Sequence, residues 1–160
     1  MQKKATDKIL KIGSLAAHSG LSERTLRNYE DLGIITPIRS AGGTRLYRES
    51  DVEVACIAQR MRDLDIPVDI IRTIATKRRT YTTGDQAGAA MIDILEDLAD
   101  TLGARAAKTL SLQDEMIRTV RLLRGCRGCK NHPNPENCPD CPMEISPERT
   151  SVARLIWQPD

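Results

Sequence analysis

Leu21-Ser22-Glu23-Arg24-Thr25-Leu26-Arg27-Asn28-Tyr29-Glu30-Asp31-Leu32-Gly33 is the stretch whose pattern decides the fold. Together with Ile12, Leu15, Ala16 and Leu21, the apolar residues Leu26 and Tyr29 recur at helical spacing, and the pattern breaks only at Ser19-Gly20. That is the pattern of helix, tight turn, helix. Ser22 stands where its hydroxyl can accept from the unpaired backbone N–H groups of the second helix, and Gly33 stands where that helix can close.

Downstream, Ile34-Ile35-Thr36-Pro37-Ile38 reads as a short strand, Ala41-Gly42-Gly43 as a turn and Thr44-Arg45-Leu46-Tyr47 as a second strand. Two short strands around a glycine turn make a wing. Asp51 is expected to cap a third helix from Val52 to about Leu64. A break at Asp65-Ile66-Pro67 and a fourth helix to about Arg78 follow, with Ile57, Met61, Leu64, Ile70, Ile71 and Ile74 as apolar contacts. Lys77 to Gly84 is a basic, Thr-rich connector.

From Asp85 to Arg124 no proline occurs, and Met91, Ile94, Leu95, Leu98, Leu102, Ala106, Leu110, Met116, Ile117, Val120 and Leu123 recur every three or four residues. A helix of about 40 residues would run roughly 60 Å. Such a helix is too long to lie on a small domain, so its apolar stripe calls for another helix, most simply the same one from a second chain. Gly88, Gly103, Arg105, Thr109 and Gln113 interrupt a strict heptad, and either an antiparallel or a parallel pair remains open.

Composition agrees with this organisation. A chain of 160 residues holds one compact domain and an appendage. With phenylalanine absent and aromatics at 2%, the core must come from Leu, Ile, Val, Met and Ala, which suits helix packing. The fold expected is mainly α: a winged helix-turn-helix at 9–79, a long dimerisation helix at 84–124, a Cys-rich loop at 125–143 and a tail at 144–160. No run of about 18 apolar residues occurs and no apolar stretch follows the lysines of the first eleven positions, so a cytoplasmic protein without a membrane partner is expected. Net charge is only +2, yet Arg24, Arg27, Arg39, Arg45 and Arg48 crowd the first 50 residues, while Glu96, Asp97 and Asp100 cluster later.

In a helix-turn-helix the second helix enters the major groove, where Arg can donate to a guanine edge or pair with phosphate. Arg24, Thr25, Arg27 and Asn28 would project from that helix. Arg39, Arg45 and Arg48 on the wing would reach flanking backbone, where counterion release supplies affinity. A merely solvated basic face is the alternative.

Ile12-Gly13-Ser14-Leu15-Ala16, then Leu21 to Ile35 with its Leu-Arg-x-Tyr-Glu-x-x-Gly ending, then Gly43-Thr44-Arg45-Leu46-Tyr47, closely resemble the MerR family of regulators over roughly residues 9 to 78. The resemblance implies that Arg24, Arg27, Tyr29, Arg39 and Arg45 contact DNA, mostly its backbone; Tyr29 can equally be core. It further implies a homodimer on double-stranded promoter DNA that bends and untwists the promoter, with RNA polymerase as the partner there. Asn28 stands where many members have an aromatic, and Thr44 where the metal-responsive branch has a tyrosine. The Gly-Gly-Thr-Arg wing is closer to the heat-shock-repressor and glutamine-regulator branches. A constitutive repressor or architectural DNA binder with purely structural zinc is the alternative function, and no nucleophile, base or phosphate-loop constellation points to an enzyme.

Five cysteines in an unexported chain suggest metal or thiol chemistry. Cys126, Cys129, Cys138 and Cys141 form C-x2-C-x8-C-x2-C, two pairs able to converge on one tetrahedral centre per chain. Zinc is the first choice, although Lys130 and Pro142 follow the pairs where a small residue is usual. A two-iron two-sulfur cluster is the alternative, because the SoxR branch carries its cluster at this place, with the different spacing C-x2-C-x-C-x5-C; a reversible disulfide or soft-metal sensor stays open. Thr82, Thr83 and Gly84 stand where the mercury and copper branches have a sensing cysteine, so sensing in that manner is not expected. Cys56 is expected to be structural, His18 to face solvent or cap the first helix, His132 to be a solvated loop residue, and Trp157 with Leu155 and Ile156 to cover the metal loop, pack on the partner or stay loose.

Overall fold

The computed structural model describes residues 8–133 and 150–156. The chain divides into two compact units, Met1–Leu95 and Glu96–Asp160.

The first unit opens with strand β1 (Ile9–Leu10), helix α1 (Ile12–Ser19) and helix α2 (Glu23–Asp31). Gly20, in the left-handed conformation at φ 71°, closes α1 by donating its N–H to Ala16 O, and so makes the tight turn. Ser22 begins α2 as expected: its hydroxyl accepts from Thr25 N–H at 3.1 Å. At the other end Gly33 has φ 72°, its N–H reaches Glu30 O at 2.8 Å, and Ile34 N–H reaches Tyr29 O at 2.9 Å. This Schellman pairing satisfies the last carbonyls of the helix.

It also explains a difference from the sequence expectation. Ile34 and Ile35 form no strand, because both backbone N–H groups bond back to Tyr29 O and both side chains turn into the core. The wing strands are β2 (Ile38–Arg39) and β3 (Arg45–Arg48), in a three-stranded antiparallel sheet of order β1-β3-β2. Leu10 pairs with Tyr47, Ile38 with Leu46, and Arg39 with Arg45.

Helix α3 (Ser50–Asp63) starts earlier than expected. Asp51 is not its cap: it lies in the first turn, and its Oδ2 accepts from the Arg48 N–H at 2.8 Å. Asp65, at φ 56°, turns the chain into helix α4 (Val68–Thr76), and a single 3-10 turn, Lys77–Thr80, ends it. Leu15, Leu26, Tyr29, Ile35, Tyr47, Ala55, Ala58, Ile66 and Ile71 are buried together as the core of this unit. Cys56 is half-buried with its thiol toward Ser19 O, and His18 is exposed with Nδ1 at 2.7 Å from Ser14 O, so it ties down the last turn of α1.

Helix α5 (Gly84–Arg124) is one unbroken stretch of 41 residues that crosses from the first unit into the second. Thr83 starts it by accepting from Gln86 N–H. Leu95, Leu110, Met116, Ile117 and Val120 on it are about half exposed or more. No described helix is long and apolar enough to cross a membrane.

In the second unit helix α6 (Ser151–Ile156) packs its fully buried Ala153 against Leu122, Leu123 and Cys126. Beside that contact the hydroxyls of Thr119 and Thr150 are hydrogen-bonded, and Ala153 N–H donates to Thr150 Oγ1 at 3.1 Å. The sequence signature of α6 is Thr150 ahead of an apolar-rich run, a capping pattern within the stretch expected to be a tail. Leu155 and Ile156 remain exposed, and Trp157 lies outside the described residues.

Candidate nucleic-acid interface

The two faces of α2 are chemically opposed. Leu26 and Tyr29 point into the core, with relative exposures of 0% and 2%. Burial raises the pKa of the Tyr29 phenol, with Arg62 pulling it down and Asp63 pushing it up, and its hydroxyl donates to Gln59 Oε1 at 3.0 Å on α3. This anchors the helix by its inner side. Of the two roles open to Tyr29, the structure supplies the core one.

Arg24, Arg27 and Asn28 are exposed on the opposite side. Thr25 is half-buried, its hydroxyl sharing a 2.9 Å hydrogen bond with Ser22 in the cap. Arg27 lies 3.6 Å from Glu23 one turn earlier, both about half exposed. A solvated pair of this kind contributes little and exchanges easily for another anion.

On the wing, Arg39, Arg45 and Arg48 are exposed. The turn between the strands is held by Ser40, whose N–H donates to Thr44 O at 3.0 Å and whose hydroxyl accepts from Thr44 N–H at 3.1 Å, with Gly43 at φ 79°. The wing is tied to α2 through Glu30. Its Oε1 accepts from Arg45 Nε at 2.7 Å and its Oε2 from the Tyr47 hydroxyl at 2.8 Å. Burial first, then the bond to Glu30, pushes the Tyr47 phenol up to about 12, so it stays a donor throughout the usual pH range.

Glu30 and Tyr47 are the residues of this surface that sequence reasoning passed over. The missed indication was spacing: Glu30 lies four residues after the buried Leu26, hence on the inner side of α2, where a carboxylate needs partners.

The first pair of the cysteine motif follows the end of α5. Cys126 is half-buried, Cys129 is exposed, and Cys138 and Cys141 lie outside the described residues. Cys129 N–H donates to Cys126 O at 3.1 Å across Gly128, at φ 80°, so the first C-x2-C pair spans one tight turn. A pair held at the two ends of a turn suits a chelating dithiolate.

Comparison with known proteins places this architecture. The model of the MerR HTH family regulatory proteins matches residues 10–83. The regulator TnrA of Bacillus subtilis is 32% identical over 87 residues, 54% of this chain and 79% of its own length. The regulator HmrR of Rhizobium leguminosarum is 36% identical over 87 residues. The chain spans 65% of the length of HmrR and 32% of that of YfmP from Bacillus subtilis, less than two thirds of each. Among solved structures, a MerR-family regulator from Listeria monocytogenes superposes with a TM-score of 0.61 at 22% identity, over 67% of this chain and 80% of the other. HiNmlR, a MerR-family regulator lacking the sensor domain and bound to promoter DNA, superposes with a TM-score of 0.62 at 16% identity, over 75% and 89%. The helix-turn-helix, the wing and the long helix after them are thus shared in fold, and the chain belongs to the MerR family of helix-turn-helix regulatory proteins.

Proposed function

We propose that this chain is a homodimeric transcription regulator that reads double-stranded promoter DNA with α2 and grips the flanking backbone with the wing. The observation that carries the reading is the opposition of faces on α2: Leu26 and Tyr29 locked inward, Arg24, Arg27 and Asn28 presented outward beside a wing bearing Arg39, Arg45 and Arg48. Arginine on such a face can donate to base edges or to phosphate. HiNmlR, of like fold, was crystallised on promoter DNA, which supports the same use of this surface.

Dimerisation is supported by Leu95, Leu98, Leu102, Ala106, Gln113, Met116, Ile117 and Val120, which fall on one side of α5 at helical spacing, several of them half exposed. A dimer of this kind, with one reading helix per half-site, can bend and untwist a promoter for RNA polymerase.

The four cysteines are proposed to hold one metal centre per chain, zinc before a two-iron two-sulfur cluster. The tight Cys126–Cys129 turn and the thiolate chemistry of the motif support this.

Titration of duplex DNA at several salt concentrations tests the first part. Arg27→Ala is expected to lower affinity and to reduce the salt slope by about one per half-site; unchanged affinity and slope would contradict the assignment. For the cysteines, protein purified without oxygen is expected to be colourless with one zinc per chain. Visible absorption bands would favour the cluster, and protein with neither metal would refute the centre.

A further inference from the structure

Both oxygens of the Glu30 carboxylate are in use at the junction of α2 and the wing, one by Arg45 Nε at 2.7 Å and one by the Tyr47 hydroxyl at 2.8 Å. The exposures of the pair are unequal: the Glu30 side chain is 13% exposed and that of Arg45 is 46%. Arg45 is therefore tethered at Nε, the inner edge of its guanidinium. Its terminal amino groups make no other hydrogen bond among the described residues.

The tether has two further consequences. Arg39 is the register partner of Arg45, so two cations stand directly across from each other on the wing, an arrangement that is unfavourable without a counter-charge. Glu30 supplies one. Tyr47, fully buried, fixes the other carboxylate oxygen, so the carboxylate cannot rotate away to follow the arginine. An arginine held through Nε by a fixed carboxylate keeps its paired terminal donors pointed away from that carboxylate, the geometry that bidentate phosphate recognition uses.

We propose that Glu30 is a positioning residue for DNA binding: it holds the Arg45 guanidinium by its inner edge so that the outer edge meets a backbone phosphate. The proposal rests on the DNA-binding reading above. It carries an unusual sign. Removing Glu30 makes a DNA-binding face more positive by one charge, which by simple electrostatics would tighten binding. Loss of positioning would weaken it.

The experiment uses the full chain and a mixed-sequence duplex of about 30 base pairs, titrated by fluorescence anisotropy at about 50 and 150 mM salt. Glu30→Gln is expected to weaken binding by about fivefold to tenfold at the higher salt, the scale of one charge-assisted contact. In an Arg45→Ala background the same change is expected to leave binding unchanged or slightly tighter, because nothing remains to be positioned. Glu30→Asp, which keeps the charge but shortens the reach, is expected to fall between the wild type and Glu30→Gln, and it decides the matter if Glu30→Gln fails to fold. Binding by Glu30→Gln as tight as wild type, or equal weakening with and without Arg45, would overturn the proposal while leaving the DNA-binding reading intact. A wild-type chain that ignores the duplex at low salt would overturn both.

Discussion

Tyr47→Phe removes a single oxygen from the best-buried aromatic among the described residues, and its effect on stability is expected to depend on pH in a defined direction. In the wild type the hydroxyl donates to Glu30 at 2.8 Å. A hydrogen bond to a charged group contributes about 1.5–3 kcal/mol, so near neutral pH the variant should be less stable by about that much. The phenol titrates at about 12 in the folded chain against 10.0 when unperturbed. With about 1.4 kcal/mol per pKa unit, that difference corresponds to roughly 2–3 kcal/mol. Because the folded-state pKa is raised, the native protein binds this proton more tightly than the unfolded chain. The stabilisation is therefore complete below pH 10, shrinks as pH rises from 10 to 12 and is lost above. Phenylalanine has no proton to lose. Urea unfolding of both proteins, followed by far-UV circular dichroism at one protein concentration between about pH 7 and pH 11.5, should show a gap of about 2 kcal/mol that closes through the alkaline range. Every other ionisable group is common to both proteins and cancels in the difference. Parallel stability curves across the whole range would refute the assignment of Tyr47 as a buried donor to Glu30.

Ser22→Ala removes the acceptor for Thr25 N–H at the start of α2 and should cost about 1 kcal/mol, read as a lower urea midpoint; an unchanged midpoint would show that the cap contributes nothing. Ala153→Glu places a carboxylate in a fully buried site against Leu122, Leu123 and Cys126, and should release α6 from α5. Amide hydrogen exchange across Ser151–Ile156 would then rise to the unprotected rate, and protection equal to wild type would contradict the packing.

Much of the fold was legible because local chemistry and tertiary packing agree. Ser22, Gly20 and Gly33 punctuate α1 and α2 where capping rules put them, and α5 follows from its proline-free periodicity. Where the two levels part, the sequence misled. Ile34 and Ile35 are β-branched and adjacent, the composition of a strand, but the closure of α2 on Gly33 takes their N–H groups before a ladder can. Asp51 carries a capping residue type, yet its carboxylate serves the Arg48 N–H from inside the helix. The outward residues of α2 were legible from periodicity alone, whereas Glu30 required knowing that the wing folds back onto that helix, a contact of 15 residues' separation that no local window contains.

The same contact changes how the basic surface should be counted. The five arginines of the first 50 residues are not equivalent. Arg24, Arg39 and Arg48 have no ion-pair partner among the described residues, Arg27 shares a solvated pair with Glu23 at 3.6 Å, and Arg45 is held by Glu30 at 2.7 Å. An exposed pair at one helical turn contributes about 0.3–0.5 kcal/mol, so Arg27 can leave Glu23 for a phosphate or a base edge at almost no cost. Arg45 cannot leave as cheaply, since its carboxylate is mostly enclosed and is braced by Tyr47. If α2 reads DNA as proposed, it therefore offers an approaching duplex an arginine free to search, and the wing offers one fixed in place. A mobile donor suits the base edges, which vary with sequence, and a fixed donor suits the backbone, which does not.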